Sequence, residues 1–482
     1  MPAAEQIPDT DRAHRRRERG SRRSGGRHLP GFAVLALILL ALPAVPARAQ
    51  TMTQALAEAY NTNPQLLAQR ALLRATDEQV PQALSGWRPT VNFTGQVGGA
   101  RAGFIAPANS AFSTFFQNSV NLQITQPVYS GGRTLAQTRQ AINTVQATRA
   151  QTLAVETSVF QAVAQAYLDV VRDQALVEVD RNNVAVLRQQ LEATQDRFRV
   201  GEVTRTDVAQ AESSLAQAIG TLTAAEGTLR QSQAEYVRAV GQQPGRLLLP
   251  RERPTLPATR EEAQTLAADN NFNVISANFS ELAARDNIAV VRGQLLPQIS
   301  IVGSLSRAEA PSITFTNALE NTGTIAAQMT IPLYEGGAIY SQTRQAEQTV
   351  GQRRSQVDDA RRAAVQTATQ SWETLKAARA SIASFAAAVR AAQIALQGIQ
   401  QEALVGTATT LDVLVQNQQL LTTQEQLIVA EHDSALAEFN LAAAIGRLIA
   451  PDLHLPVQLY DMERHYKEVK DKWIGFGGGL KE

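Results

Sequence analysis

Few residues in this chain could do covalent chemistry. The sequence has 482 residues, no cysteine and five histidines, so thiolate nucleophiles, thiolate metal sites and disulfides are excluded together. His432, His454 and His465 are the histidines beyond residue 49, and no HExxH, G-x-S-x-G or paired-ligand spacing surrounds them. An enzyme is therefore not expected, nor a cofactor or metal. Gly131-Gly132-Arg133 could cradle a phosphate, but it lacks the Gly-Lys-Ser/Thr ending of a P-loop. What remains is carboxylate electrostatics. Thr204-x-x-Asp207 and Thr409-x-x-Asp412 each follow a Val-Gly pair, Val200-Gly201 and Val405-Gly406. One reading of each is a capping box at a helix start. For Asp207 capping is the leading reading. For Asp412 capping and a role outside the cap stand on equal terms.

The elements that position these residues come in duplicate. The phrases "QPVYSGG" and "IPLYEGG", "QTRQA" twice, and "VGEVTRTDV" with "VGTATTLDV" recur with a constant offset of 205. The duplication divides the chain into a first repeat at 50–245, a linker at 246–260, a second repeat at 261–450 and an extension at 451–482. Each repeat opens with a helical segment, 53–82 or 261–293. Each closes with a long stretch free of proline, between Pro127 and Pro244 and between Pro332 and Pro451. Proline inside a helix costs about 3 kcal/mol, so its absence over such lengths is what continuous helix requires. Val155, Val159, Val163, Tyr167 and Val171 form one helical stripe. A helix over residues 133–198 would reach about 100 Å, as in a coiled-coil tube. Val200-Gly201 and Val405-Gly406 mark the turns, where a left-handed glycine ends a helix at low cost.

Between the short and long helices lie segments that alternate. Val91, Phe93 and Val97 oppose Thr90, Asn92, Thr94 and Gln96, and Val120, Leu122 and Ile124 oppose Asn121, Gln123 and Thr125. Ile299, Ile301 and Leu305, then Ile325, Ala327, Met329 and Ile331, repeat the pattern. Period two predicts four strands of about 8–11 residues with an uncharged polar face, long enough to cross a bilayer when tilted. Trp87, Phe115, Phe116, Tyr129 and Tyr334 stand near their ends as an interfacial girdle would. An ordinary soluble hairpin shows the same alternation. In lipid, four strands cannot close a barrel and an open edge is forbidden, so several copies must share one. Pro127 and Pro332 are expected where the strand leaves the bilayer, Tyr129 and Tyr334 at the interface. Gly131, Gly132, Gly336 and Gly337 then make the sharp turn into the long helix.

The N-terminus reads as a secretory signal: nine arginines within residues 1–49, an apolar run at 32–45 and Ala47-Arg48-Ala49 as the cleavage site. No later window holds 18 consecutive apolar residues. Without residues 1–49 the chain carries 36 basic and 40 acidic residues, so nucleic acid is not an expected partner.

The phrases "NPQL" (63–66), "LLPQISI" (295–301), "QPVYSGG" and "IPLYEGG", "RFRVGEVTRTDV" (197–208), "LVGTATTLDVL" (404–414) and "AIGRL" (444–448) resemble the TolC-like outer-membrane efflux proteins. The resemblance implies a mixed α and β homotrimer, a 12-stranded barrel in outer-membrane lipid continued by a periplasmic helical tunnel. It implies an exit duct for small molecules or for type I secretion of polypeptides. Such ducts dock through a periplasmic adaptor onto an inner-membrane ABC, RND or MFS-type pump. The adaptor-docking tip corresponds to Val200, Gly201, Glu202, Val405, Gly406 and Thr407, with Glu202 and Thr407 where leucine is common. By resemblance Asp412 lines the periplasmic entrance, where three copies would form a ring and repulsion would raise some of their pKa values. Asp207 takes the matching place in the first repeat. A second acidic ring is replaced by Val415, and Ala403 and Ala408 replace the Tyr and Arg that latch relatives shut. The competing architecture is a periplasmic coiled-coil adaptor or scaffold without a barrel. Residues 460–473 are expected to form a short amphipathic helix, followed by a frayed end.

Overall fold

The computed structural model describes residues 50–105, 110–250, 253–309 and 319–476. The expected signal peptide, residues 1–49, lies outside them, as do residues 477–482 and the side chain of Phe115.

Each repeat opens with broken helix rather than one segment. The first has α1 (Met52–Thr62), α2 (Pro64–Asp77) and α3 (Gln79–Leu84); the second has α6 (Arg260–Asn270) and α7 (Phe272–Arg292). The break between α2 and α3 falls at Glu78 without a side-chain cap, while the breaks common to both repeats fall at Asn63 and Asn271, whose side chains cap the following helix by accepting from Gln65 N and Asn273 N. The same side chains donate from Nδ2 to Ala239 O and Ala444 O, both at 3.1 Å. One asparagine in each repeat thus ends a helix, starts the next and ties both to the top of a returning helix.

The strands are β1 (Thr90–Ile105), β2 (Ser110–Ser130), β3 (Gln298–Glu309) and β4 (Leu319–Thr330). They form one antiparallel sheet in the order β1-β2-β3-β4. At 16, 21, 12 and 12 residues they exceed the expected 8–11. In the outer half of β1 the alternation is diluted by glycine and alanine, and in that of β2 it is broken by the adjacent Phe115 and Phe116, which hid those residues from a period-two reading. Phe93, Leu122 and Leu305 stand side by side across the sheet, while Thr94, Asn121 and Ser306 share the other face. Val91, Phe93, Val97, Ile325 and Met329 are all exposed.

The two hairpins have the same register. Thr90 pairs with Thr125 and Val91 with Ile124; Gln298 pairs with Thr330 and Ile299 with Met329. An offset of 208 carries β1 onto β3 and one of 205 carries β2 onto β4. Their lower ends differ. Pro127 does not end its strand. β2 runs on to Ser130, with a register shift between Pro127 and Tyr129, because β3 continues beside it to Gln298. β4 stops at Thr330, before Pro332, where no strand lies on its free side.

Two helices of 67 residues, α4 (Arg133–Arg199) and α8 (Ala338–Leu404), leave the sheet, and α5 (Arg205–Val240) and α9 (Thr410–Ala444) return. The core lies where α1, α4, α5 and α9 meet, around Phe160, Tyr167, Tyr236 and Phe439. Tyr167 Oη lies 2.8 Å from both Gln50 O and Leu248 O and holds two chain segments to that core. The helix α8 is long and apolar enough, by length and composition, to cross a membrane, yet only 6% of that window is buried in the lone chain. The expected helix at 460–473 shrinks to α10 (Arg464–Val469). Residues on both sides of α10 are instead held by contacts to α2 and to the foot of β1.

Candidate functional site

The far ends of the long helices have matching chemistry. Gly201 and Gly406 hold φ of 85° and 80°. After Gly201, Glu202 N donates to Arg197 O at 2.9 Å and Gly201 N to Phe198 O at 3.0 Å, the two bonds that close a Schellman turn. After Gly406, Thr407 N donates to Glu402 O at 3.0 Å. Val200 and Val405 are 72% and 76% exposed, and Leu404 beside Val405 is exposed as well, so both turns present bare apolar side chains. Glu202 and Thr407 are exposed; Ala403 and Ala408 are half-buried.

Three residues beyond each turn the return helix begins with a complete capping box. Asp207 Oδ2 accepts from Thr204 N (2.8 Å) and Thr204 Oγ1 (2.7 Å), and Asp412 Oδ2 accepts from Thr409 N and Oγ1 at the same distances. The bonds from the threonine side chain and backbone hold both carboxyls below the usual aspartate range. Within one subunit the direction is thus opposite to that expected for a crowded ring, and Asp412 is a fully exposed anion at neutral pH. Capping occupies one carboxylate oxygen, so it does not exclude an ion-facing role. Val415, one turn on, is exposed.

A polar seam joins α4 to α9 above the turns. Asn417 Nδ2 donates to Asn183 Oδ1 at 2.8 Å, and His432 lies 3.0 Å from Asp169 and 2.9 Å from Asp433. Burial pushes the His432 pKa down, but the two aspartates outweigh it and the net direction is up. Asp180 is buried, with Oδ1 unpartnered, and faces Glu425; burial raises the pKa of each. Glu438, 1% exposed, is held by Arg253 at 2.9 Å and Arg379 at 2.8 Å. Sequence reading missed this seam, although Glu438 is a lone acid within the apolar run at residues 435–445.

At the opposite end, Gly131 and Gly132 (φ 64° and 72°) and Gly336 and Gly337 (φ 61° and 79°) join strand to helix in the left-handed region. The two copies differ in surroundings. A Cβ on Gly131 would sit 2.2 Å from Gly293 O, while one on Gly336 would meet nothing within 4 Å. Tyr129 and Tyr334 are exposed beside these turns, with Trp87 at the foot of β1.

The model of the family described as "Outer membrane efflux protein" matches residues 55–242 and 264–447, one block per repeat. This chain belongs to that family. It is 36% identical over 447 residues to the outer membrane efflux protein BepC of Brucella suis biovar 1 (strain 1330), covering 92% of this chain and 96% of BepC. It is 28% identical over 410 residues to the outer membrane protein TolC of Vibrio cholerae serotype O1 (strain ATCC 39315 / El Tor Inaba N16961), covering 83% and 92%. Its fold matches the Campylobacter jejuni CmeC outer membrane channel with a TM-score of 0.73 at 16% identity, over 87% of this chain and 89% of that one. Membership decides for an outer-membrane efflux channel over the scaffold without a barrel. The sheet is the barrel portion and the long helices are the tunnel. The family and these relatives are transport proteins, not enzymes.

Proposed function

We propose that three copies of this efflux protein close into one twelve-stranded barrel, and that the long helices carry its bore through the periplasm to an adaptor and an inner-membrane pump. The observation that carries the reading is the pair of free edges on β1 and β4 of a sheet with one apolar face. Unpaired N–H and C=O groups are not tolerated in hydrocarbon. Four strands fall short of the roughly eight of the smallest barrels, and a barrel of about eight is filled by its own side chains. Twelve strands leave room for water.

The duplication supports closure between copies. Within the chain, β2 meets β3, Gly131 packs on Gly293, and α4 packs against α7 of the other repeat. The equivalents of β2, Gly131 and α4 are β4, Gly336 and α8; β4 and Gly336 have no such mate in the lone chain, and α8 packs on α6, α7 and α9 but keeps an exposed face. The neighbouring copy's β1, Ser85 and α2 are the matching mates.

The resulting duct passes small molecules, polypeptides or both. Its tips offer Val200, Gly201 and Glu202, then Val405, Gly406 and Thr407, to the adaptor. Ala403, Ala408 and Val415 line the entrance with Asp207 and with Asp412, whose three carboxylates attract cations. Single-channel recording in planar bilayers tests this. Asp412→Asn keeps a side-chain acceptor for the Thr409 cap and is expected to relieve block by divalent cations at the periplasmic side. Unchanged block would remove Asp412 from the lumen.

A further inference from the structure

The chain after α9 does not end at the core. It climbs back along the helices to the foot of the sheet. Tyr460 N donates to Tyr60 Oη at 2.9 Å, and the Arg70 guanidinium lies 4.3 Å from the Tyr60 ring centre and 5.1 Å from that of Tyr460. Higher on α2, Asp77 receives His465 at 3.2 Å, and Arg149 of α4 stacks on Tyr466 at 5.3 Å. Last, Arg88 stacks on Trp473 at 4.9 Å and donates to Lys472 O at 2.6 Å. Arg88 stands two residues before the first residue of β1. Successive contacts therefore carry the segment from the core to the level at which strand replaces helix.

What it presents there is unusual for a water-exposed segment. Trp473, Ile474 and Phe476 are 65%, 89% and 103% exposed, three large apolar side chains within four residues. Arg88 holds the first of them in place, gripping the Lys472 carbonyl and the Trp473 indole together. Tyr129 near the end of β2, Trp87 just before β1 and Tyr334 just after β4 are exposed at the same end of the sheet. Arg88 and Lys472 add positive charge, while Lys470 is offset by Asp471 at 3.8 Å. Aromatic side chains settle at the boundary between headgroups and acyl chains, and adjacent basic residues favour anionic lipid.

We propose that residues 472–476 are a membrane anchor that extends the barrel's aromatic girdle. Trp473, Ile474 and Phe476 dip into the periplasmic leaflet beside the foot of β1, and Lys472 meets anionic phospholipid headgroups. The inference rests on the barrel reading, because the foot of β1 must lie at the bilayer surface. It makes the C-terminal extension a second, strand-free contact with lipid.

The chain has three tryptophans, so Trp87→Phe with Trp372→Phe leaves Trp473 as the sole reporter. The assay is fluorescence of this protein in vesicles of phosphatidylethanolamine and phosphatidylglycerol containing brominated phosphatidylcholine. Bromines high on the acyl chain are expected to cut Trp473 emission by roughly half, and bromines near the chain end by much less. Adding Ile474→Ser and Phe476→Ser should weaken that quenching and leave conductance unchanged. A barrel reporter, Phe93→Trp in a chain with all three native tryptophans replaced by Phe, reads the barrel separately. If Phe93→Trp is quenched by bromolipid but Trp473 responds only to aqueous acrylamide, the anchor is wrong and the barrel stands. If neither is quenched, both are wrong. If Trp473 is shielded from both quenchers, it packs on a neighbouring copy and the anchor is again wrong.

Discussion

Cysteines at Val97 and Ala327 should lock neighbouring copies together. The register follows from the fold. Leu122 of β2 faces Leu305 of β3. Adding 205 to the first and subtracting 208 from the second, the offsets that superpose the hairpins, places Ala327 of one copy opposite Val97 of the next. The same arithmetic sets Tyr334 against Val91, so the β4 edge should grow past Pro332 once a neighbour arrives, as β2 does past Pro127. Much free energy hangs on this pairing. In an antiparallel edge every second residue turns N–H and C=O outward, so the 12 residues of β4 leave about twelve bare groups. At roughly 2–7 kcal/mol each in an apolar medium, the total is of the order of tens of kcal/mol. Directly opposed Cβ atoms lie about 4.5–5.5 Å apart and diagonal ones about 7–8 Å, while a disulfide needs about 3.5–4.5 Å. The chain has no native cysteine, so Val97→Cys with Ala327→Cys is a clean pair. Oxidised membranes run on a non-reducing denaturing gel should show a covalent trimer. A Gly95→Cys and Ala327→Cys control should stay largely monomeric. A trimer from the control but not from the predicted pair would refute the register and the quasi-symmetric closure behind it.

Three further outcomes follow from the helices and the junction. Gly131→Ala should abolish assembly, because its Cβ would meet Gly293 O at 2.2 Å, whereas Gly132→Ala has open space and pays only the left-handed backbone cost of about 1–2 kcal/mol; trimer yield from membranes separates them. Glu438→Ala should cost about 2 kcal/mol by removing a buried acceptor of two charged hydrogen bonds, seen as a lower Tm; no loss would mean that Arg253 and Arg379 are equally well served by water. His432 has a raised folded-state pKa, so its stabilisation is complete below the unfolded value of about 6.5 and fades as pH rises through the folded one. His432→Gln should flatten the fall of Tm with pH across that window, and an unchanged slope would exclude His432 as its source.

Features written within a few residues were legible in the sequence, and those set by distant neighbours were not. Val-Gly followed by Thr-x-x-Asp announced both turns, because a Schellman glycine and a capping box are local devices. Tyr-x-Gly-Gly announced both junctions for the same reason. Asn63-Pro64 carried a signal for the break between α1 and α2, since an Asn cap before Pro at the first helical position is a start pattern. The persistence of β2 through Pro127 could not be read locally. It depends on β3 arriving from about 170 residues away in sequence to pair beside it. The α4–α9 seam and the Arg88–Trp473 stack likewise join residues hundreds of positions apart. Their only trace was a charge or an aromatic out of keeping with its surroundings.

The identical 67-residue spans of α4 and α8 carry an evolutionary constraint. At about 1.5 Å and 100° per residue, lengthening one by a single position would lift its foot off the common rim and swing every side chain below by more than a quarter turn. Such a duct can be refitted to a wider or narrower compartment only by paired edits, made at the same depth in both halves and in steps that restore the rotational phase.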